Sequence, residues 1–382
     1  MPRPVVLSFL VMLLACAGES APTATPPSSP QGGTPAGGTT TASDIPLTAR
    51  PHMDVATQAM YDKIRGRSGW MLGVGALATA NDAFLTVAPA AVTTRWQQLY
   101  GTSAPASIEW EMAEANNPTV TRDWTGLKAF AASGGLPWIR ISMNNFTVPF
   151  VRGATPPPQG GMNDTRGSAA AVLPGGSAYP AFNTWAQQLA REVKAVGTPV
   201  VLRPLHEGNG GWFWWGGDAA NYIALWRQLF QVFQAEGARN VIWLFAPSDL
   251  CSGTSCSATT FYPGDAYVDM LGVDLYFSLG TLTANALRTL AGLEAIGADK
   301  PIVIAEFGPV ARADFWQQAA TALAGIKRFR GFSFWFARGW NIWPAGTGSL
   351  VDGTSDAATR AAFAAFLADG RVLSLAAFAS GR

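Results

Sequence analysis

Short apolar or β-branched runs recur along the chain at Trp70–Gly75, Ser107–Glu111, Leu136–Ser142, Pro199–Glu207, Val241–Pro247, Met270–Phe277, Pro301–Gly308 and Gly331–Arg338. Runs that are this short and continuous fit strands buried on both faces, as in a parallel sheet. Between most of them lie segments, Tyr179–Val196, Asn221–Glu236 and Asp314–Ile326 for instance, that carry apolar residues at three- and four-residue steps, the period of an amphipathic helix. Gly197, Gly237 and Gly297 follow three such segments, where a left-handed glycine stops a helix. This alternation predicts an α/β fold, a single (β/α)8 TIM barrel over 46–382.

Two stretches interrupt the alternation. Ser248–Asp269 shows no amphipathic helix and is expected to be an ordered loop. Asn144–Gly176 is long, polar and rich in glycine and proline; following the third strand, it belongs on the face of the barrel that carries active sites. Leu373–Phe378 is expected to pack back on the barrel.

The amino terminus reads differently. Arg3 precedes the apolar stretch Val5 to Leu14, too short to span a bilayer, so residues 1–15 are expected to be a signal peptide. Leu13-Leu14-Ala15-Cys16 resembles a bacterial lipobox, which implies lipidation of Cys16; an ordinary signal peptide cut slightly later is the alternative. Residues 16–45 are mostly Ala, Gly, Pro, Ser and Thr and are expected to form a flexible linker. Ala17 after the cysteine points to the outer membrane or cell surface, with the membrane touched only through that anchor. Lipidation would leave Cys251 and Cys256, which an oxidising compartment favours pairing as a disulfide. His52 and His206 are the two histidines, too scattered for a zinc cluster, so no metal is implied.

A formal charge of +1 and the lack of a Lys/Arg run argue against nucleic acid. With 15 Trp, 21 Phe and 7 Tyr against 13% charged residues, the chain suits a neutral partner with apolar faces, such as a polysaccharide. No phosphate-binding glycine loop follows a strand and no Gly-x-Ser-x-Gly elbow is present, so neither a nucleotide cofactor nor a serine nucleophile is expected. A monomer is expected.

In a barrel of this kind, acidic residues at the carboxyl ends of strands carry the most weight. Glu109, Glu111, Glu207, Asp274 and Glu306 sit there. Cleaving a glycosidic bond needs one carboxylic acid to protonate the leaving oxygen and one carboxylate to attack or to activate water. Glu207 and Glu306, each ending an apolar run, suit that pair; the bland reading is that either pairs with Arg203 or Arg140.

The segment around the first of them is richer than a bare carboxylate: Arg203-Pro204-Leu205-His206-Glu207-Gly208-Asn209-Gly210-Gly211-Trp212-Phe213-Trp214-Trp215-Gly216. It resembles the acid/base region of glycoside hydrolase family 26. The resemblance continues through Asn221–Arg227, Asn240–Trp243, Tyr262–Tyr276 and Lys300–Gly308. It implies a retaining, endo-acting hydrolase of β-1,4-mannan or a related β-linked polysaccharide, with Glu306 as nucleophile and Glu207 as acid/base. Glu207 is then expected to stay protonated near neutral pH through the Glu306 charge and partial burial. The resemblance further implies that His206 orients the acid/base and that Tyr276 hydrogen-bonds the nucleophile. Trp212, Trp215 and Trp335 are expected to contact sugar, with Phe213 and one tryptophan of the Trp212, Trp214, Trp215 set going to the core. Asn145 and Asp274 complete the polar candidates for substrate contact.

One departure bears on substrate. Mannan-active relatives carry a Trp-His pair and then Asn-Pro after the third strand, whereas this chain has Ile141-Ser142-Met143-Asn144-Asn145-Phe146. Ser142 in place of the histidine leaves the reaction class intact but opens β-1,3-xylan and mixed-linkage β-glucan as alternatives. A non-catalytic glycan-binding surface lipoprotein is the reading outside the enzymes.

Overall fold

The computed structural model describes residues 50–75, 94, 96–97, 104–112, 115–117, 122–151, 159–249, 257–275, 284–308, 313–334 and 356–381. The leader, the linker, Cys16, Cys251, Cys256, Tyr276 and Trp335 lie outside these residues.

Eight strands close a parallel barrel: β1 (Trp70–Gly75), β2 (Ser107–Met112), β3 (Leu136–Ile141), β4 (Val200–Arg203), β5 (Val241–Phe245), β6 (Met270–Leu275), β7 (Ile302–Phe307) and β8 (Phe329–Phe334). The closure is made by β1, which pairs with β2 from Gly73↔Ser107 and with β8 from Met71↔Gly331. Nearly every strand residue is buried, which is why these segments read as unbroken apolar runs.

The helices among the described residues are α1 (Val55–Arg65), α2 (Thr125–Ala132), α3 (Tyr179–Val196), α4 (Ala219–Ala235), α5 (Ala284–Glu294), α6 (Ala313–Ala324), α7 (Ala357–Leu367) and α8 (Leu375–Ala379). Their ends follow local chemistry. The Asp218 carboxylate accepts the Asn221 N–H to start α4, and Asp356 does the same for Thr359 at α7. Gly197, at φ 73°, ends α3 in the left-handed region.

The apolar core has two parts. Trp138, Val201, Ile242, Leu244, Val303 and Ala305 fill the barrel interior, whereas Phe182, Trp226, Trp243 and Trp316 belong to the cluster between strands and helices. The carboxy-terminal stretch closes the floor: β9 (Val372–Leu373) pairs parallel to the start of β1, and Phe378 of α8 is fully buried with Met53, Tyr61 and Ile64. Lys63 and Arg67 hold cations over the Phe378 ring, at 4.2 and 4.9 Å from its centroid. Among the described residues, the loops after β3, β4 and β5 stand at the opposite end, where the strands finish.

Candidate active site

The fourth strand ends earlier than its apolar pattern predicts. Pro204 has no N–H for the ladder, and pairing stops at Arg203. The chain then turns sharply, with Leu205 at φ 51° and Glu207 at φ 52°, the two non-glycine residues with positive φ among those described. Such backbone costs on the order of 1–3 kcal/mol per residue and persists only where its surroundings over-determine it. Here they do. Tyr222 Oη donates to the Leu205 carbonyl at 3.0 Å, Trp215 Nε1 to the His206 carbonyl at 3.0 Å, and the Gly210 N–H to the Glu207 carbonyl at 2.9 Å. The Glu207 N–H in turn donates to Ala246 O at 2.8 Å, past the end of β5. Gly208 follows because a Cβ there would lie 1.9 Å from the Tyr222 ring.

Inside the mouth, two arginines anchor carboxylates contributed by β2, β6 and β7. Arg203, fully buried, donates to Glu109 through Nε and Nη2 at 3.0 and 2.8 Å, to Asp274 at 2.8 Å and to Glu306 at 2.5 Å. Arg140 Nη1 reaches the same Glu306 oxygen at 2.7 Å, while its Nη2 lies 2.6 Å from Glu111. Ser142 Oγ donates to Glu111 at 2.9 Å. The ion-pair reading holds for Glu306, which is a strand-end partner of both Arg140 and Arg203, so a negative charge on it is matched by two guanidiniums.

Four carboxyl groups (Glu109, Glu111, Asp274, Glu306) share two guanidiniums and Glu207 feels the Glu306 charge, so not all five can ionise cheaply. Glu207 is one that resists. Burial first, and the Glu306 charge second, push its carboxyl up to about 7, against the Trp212 hydrogen bond and the two arginines. Asp274 is also pushed well up by burial, with Arg203 opposing. Burial pulls the Arg140 guanidinium down, but Glu111 and Glu306 outweigh it and keep it charged.

The arrangement sorts the expected site residues. Glu207 is 9% exposed and Glu306 is 4% exposed, and Trp212 Nε1 donates to Glu207 Oε2 at 2.8 Å. Trp212 is only partly buried, and Asn163 of the loop after β3 donates to its carbonyl. His206 packs its ring against Phe213 and Trp215, 4.8 and 5.6 Å away by centroid. Burial, Arg140 and Arg203 hold the imidazole well below its ordinary pKa, hence neutral, and its Nδ1 has no hydrogen-bond partner among the described residues.

Three of the expected site residues are engaged within the protein itself. Trp215 is fully buried, stacked on Phe213 at 4.8 Å and donating to the turn, so it presents no face to a sugar. Asp274 is likewise enclosed and accepts from Arg203 at 2.8 Å. Asn145 organises its own loop: its amide nitrogen donates to Asp164 O at 2.7 Å and its oxygen accepts from Thr147 at 2.8 Å. Sequence reasoning gave Arg203, Arg140 and Asn209 no positive role. Asn209 ties the turn to the loop after β5 through both Ser248 backbone groups, each at 2.8 Å. The available signal for the arginines was a cation inside an apolar strand, which needs buried carboxylates nearby.

Among the described residues no group of three or more His, Cys, Asp or Glu side chains is disposed to hold a metal ion.

The sequence profile described as "Glycosyl hydrolase family 26" matches residues 80–329. A mannan endo-1,4-beta-mannosidase of Bifidobacterium adolescentis is 36% identical over 126 residues, 30% of this chain and 13% of that protein. Endoglucanase H of Acetivibrio thermocellus is 34% identical over 139 residues, 31% of this chain and 15% of that protein. The matched stretch therefore spans well under two thirds of these relatives. Among solved structures, a modular endo-beta-1,4-mannanase from Cellulomonas fimi superposes with a TM-score of 0.67 at 24% identity, covering 86% of this chain and 77% of the other. At that identity the likeness carries the fold alone.

Proposed function

The chain belongs to glycosyl hydrolase family 26, and on that premise we propose that it is a retaining, endo-acting hydrolase of β-1,4-mannan, with Glu207 as acid/base and Glu306 as nucleophile. The observation that carries the reading is the asymmetry of the two carboxyls. Glu207, raised to about 7, holds a proton near neutrality, while Glu306 lies between two guanidiniums that balance a negative charge.

The steps follow from that asymmetry. A Glu306 carboxylate oxygen attacks the anomeric carbon as the glycosidic C–O bond breaks, and the leaving oxygen takes the Glu207 proton. The resulting ester no longer carries the Glu306 charge, one of the two causes that raise Glu207, so the Glu207 carboxylate becomes the stable form. It then removes a proton from water, whose oxygen attacks the anomeric carbon and frees Glu306. Trp212, hydrogen-bonded to Glu207 and partly accessible, supports a sugar-stacking role beside the acid. His206, neutral and with Nδ1 unpaired among the described residues, supports a role as partner to a sugar hydroxyl. Tyr276 and Trp335 keep their proposed roles at the nucleophile and as a sugar platform.

Mannan is favoured by the names of the relatives. Mixed-linkage β-glucan or β-1,3-xylan is the second reading, favoured by Ser142, which stands where mannan-active members carry a histidine and is turned to Glu111. We further propose export with Cys16 lipidated, a Cys251–Cys256 disulfide, and a monomer.

The test is a product profile on mannan, xylan and mixed-linkage glucan for the native protein and for Glu207→Ala and Glu306→Ala. Each variant is expected to lose activity on the preferred glycan by at least about a hundredfold. Native rates in either would refute the assignment.

A further inference from the structure

The turn that carries Glu207 is strained at two positions, and two of the three donors to its carbonyls come from outside it. We propose that Tyr222 is a positioning residue for the acid/base: its hydroxyl fixes the Leu205 carbonyl and so aims the Glu207 carboxyl, with Trp215 acting in the same sense on the next carbonyl. The inference rests on the acid/base reading of Glu207.

Three consecutive carbonyls, of Leu205, His206 and Glu207, are each captured by one donor. Only the last of these donors, the Gly210 N–H, belongs to the turn itself. Left-handed backbone at Leu205 and Glu207 is unfavourable for side chains with a Cβ, so released carbonyls would let both residues relax toward ordinary φ. Since the Glu207 carboxyl hangs from the second of them, relaxation swings it away from its partners.

Tyr222 can impose this geometry because its own place is set elsewhere. It is fully buried on α4, with its ring in edge contact with Phe261 at 5.6 Å and near Trp226 and Phe245 at 6.2 and 6.4 Å. The turn was fitted to the ring in return, since any Cβ at Gly208 would overlap it. Burial and Asp274 hold the phenol well above its ordinary pKa, so it remains a donor at every working pH. Trp215 is fixed in the same way, between Phe213 and Trp214.

Tyr222→Phe keeps the ring and removes only the hydroxyl. On mannan the expected result is a kcat lower by about tenfold to a hundredfold with KM within about threefold. The basic limb of the pH profile should move to lower pH, because a loosened carboxyl is less buried. Dinitrophenyl β-mannobioside, whose leaving group departs without a proton, should release its phenol in the first step at close to the native rate. Trp215→Phe should give the same signature and carries the test alone if Tyr222→Phe does not fold. Equal losses on both substrates with an unmoved basic limb, or no loss on mannan, would overturn the inference. Glu207→Ala is the control. If it keeps the first step on the activated glycoside and loses mannan, the acid/base reading stands whatever Tyr222 does; if it loses both alike, that reading fails and takes the Tyr222 proposal with it.

Discussion

Glu207→Gln should make the protein more stable at alkaline pH while removing its activity on mannan. The carboxyl rises from its ordinary value of 4.5 to about 7 on folding, chiefly through burial and secondly through the Glu306 charge. Between those values the folded chain binds the proton and the unfolded chain does not, so stability falls as pH climbs through this window. A rise from 4.5 to about 7 corresponds to about 3 kcal/mol, at roughly 1.4 kcal/mol per pH unit. Glutamine cannot ionise, and its amide oxygen still accepts the Trp212 indole N–H. Constant differences between the side chains cancel when the gap in stability is followed against pH. Urea unfolding at pH 5 and pH 9 should show the variant gaining about 2–3 kcal/mol on the native protein between the two. With an unfolding entropy of about 2.1 cal/mol/K per residue over about 330 residues, the same gain appears as about 3–4 °C in Tm. A gap that stays constant with pH, or one that favours the native protein as pH rises, would refute the reasoning.

Two further outcomes follow from the packing. Arg203→Met leaves Glu109, Asp274 and Glu306 without their shared cation, so unfolding should become easier by about 3–5 kcal/mol, and tandem Glu109→Gln should recover part of that in a denaturant titration. Phe378→Ala opens a cavity in the barrel floor beneath Met53, Tyr61 and Ile64; a loss of about 3–5 kcal/mol in stability is expected, with kcat measured below the new Tm unchanged.

Strand positions were legible because a sheet covered on both faces demands unbroken apolar runs, and the observed strands begin within two residues of them. The end of β4 was not, for Leu205 is as apolar as a strand residue and only its φ of 51° reveals the turn. The two glutamates were legible from strand-end placement and the motif around Glu207. The ionic lattice was hidden, since Arg203 finds partners 94, 71 and 103 residues away, distances that no local pattern encodes. Trp215 shows the same limit from the other side. An indole in an aromatic run has the same composition whether it faces sugar or core, and what separates Trp215 from Trp212 is where each Nε1 donates: to the His206 carbonyl in one, to the Glu207 carboxylate in the other.

The most direct measurement is the configuration of the first product. Proton NMR of a manno-oligosaccharide digest, recorded before mutarotation, should show the new reducing end as the β anomer, as two successive displacements through Glu306 require. An α anomer appearing first would mean a single displacement by water and would contradict Glu306 as the nucleophile.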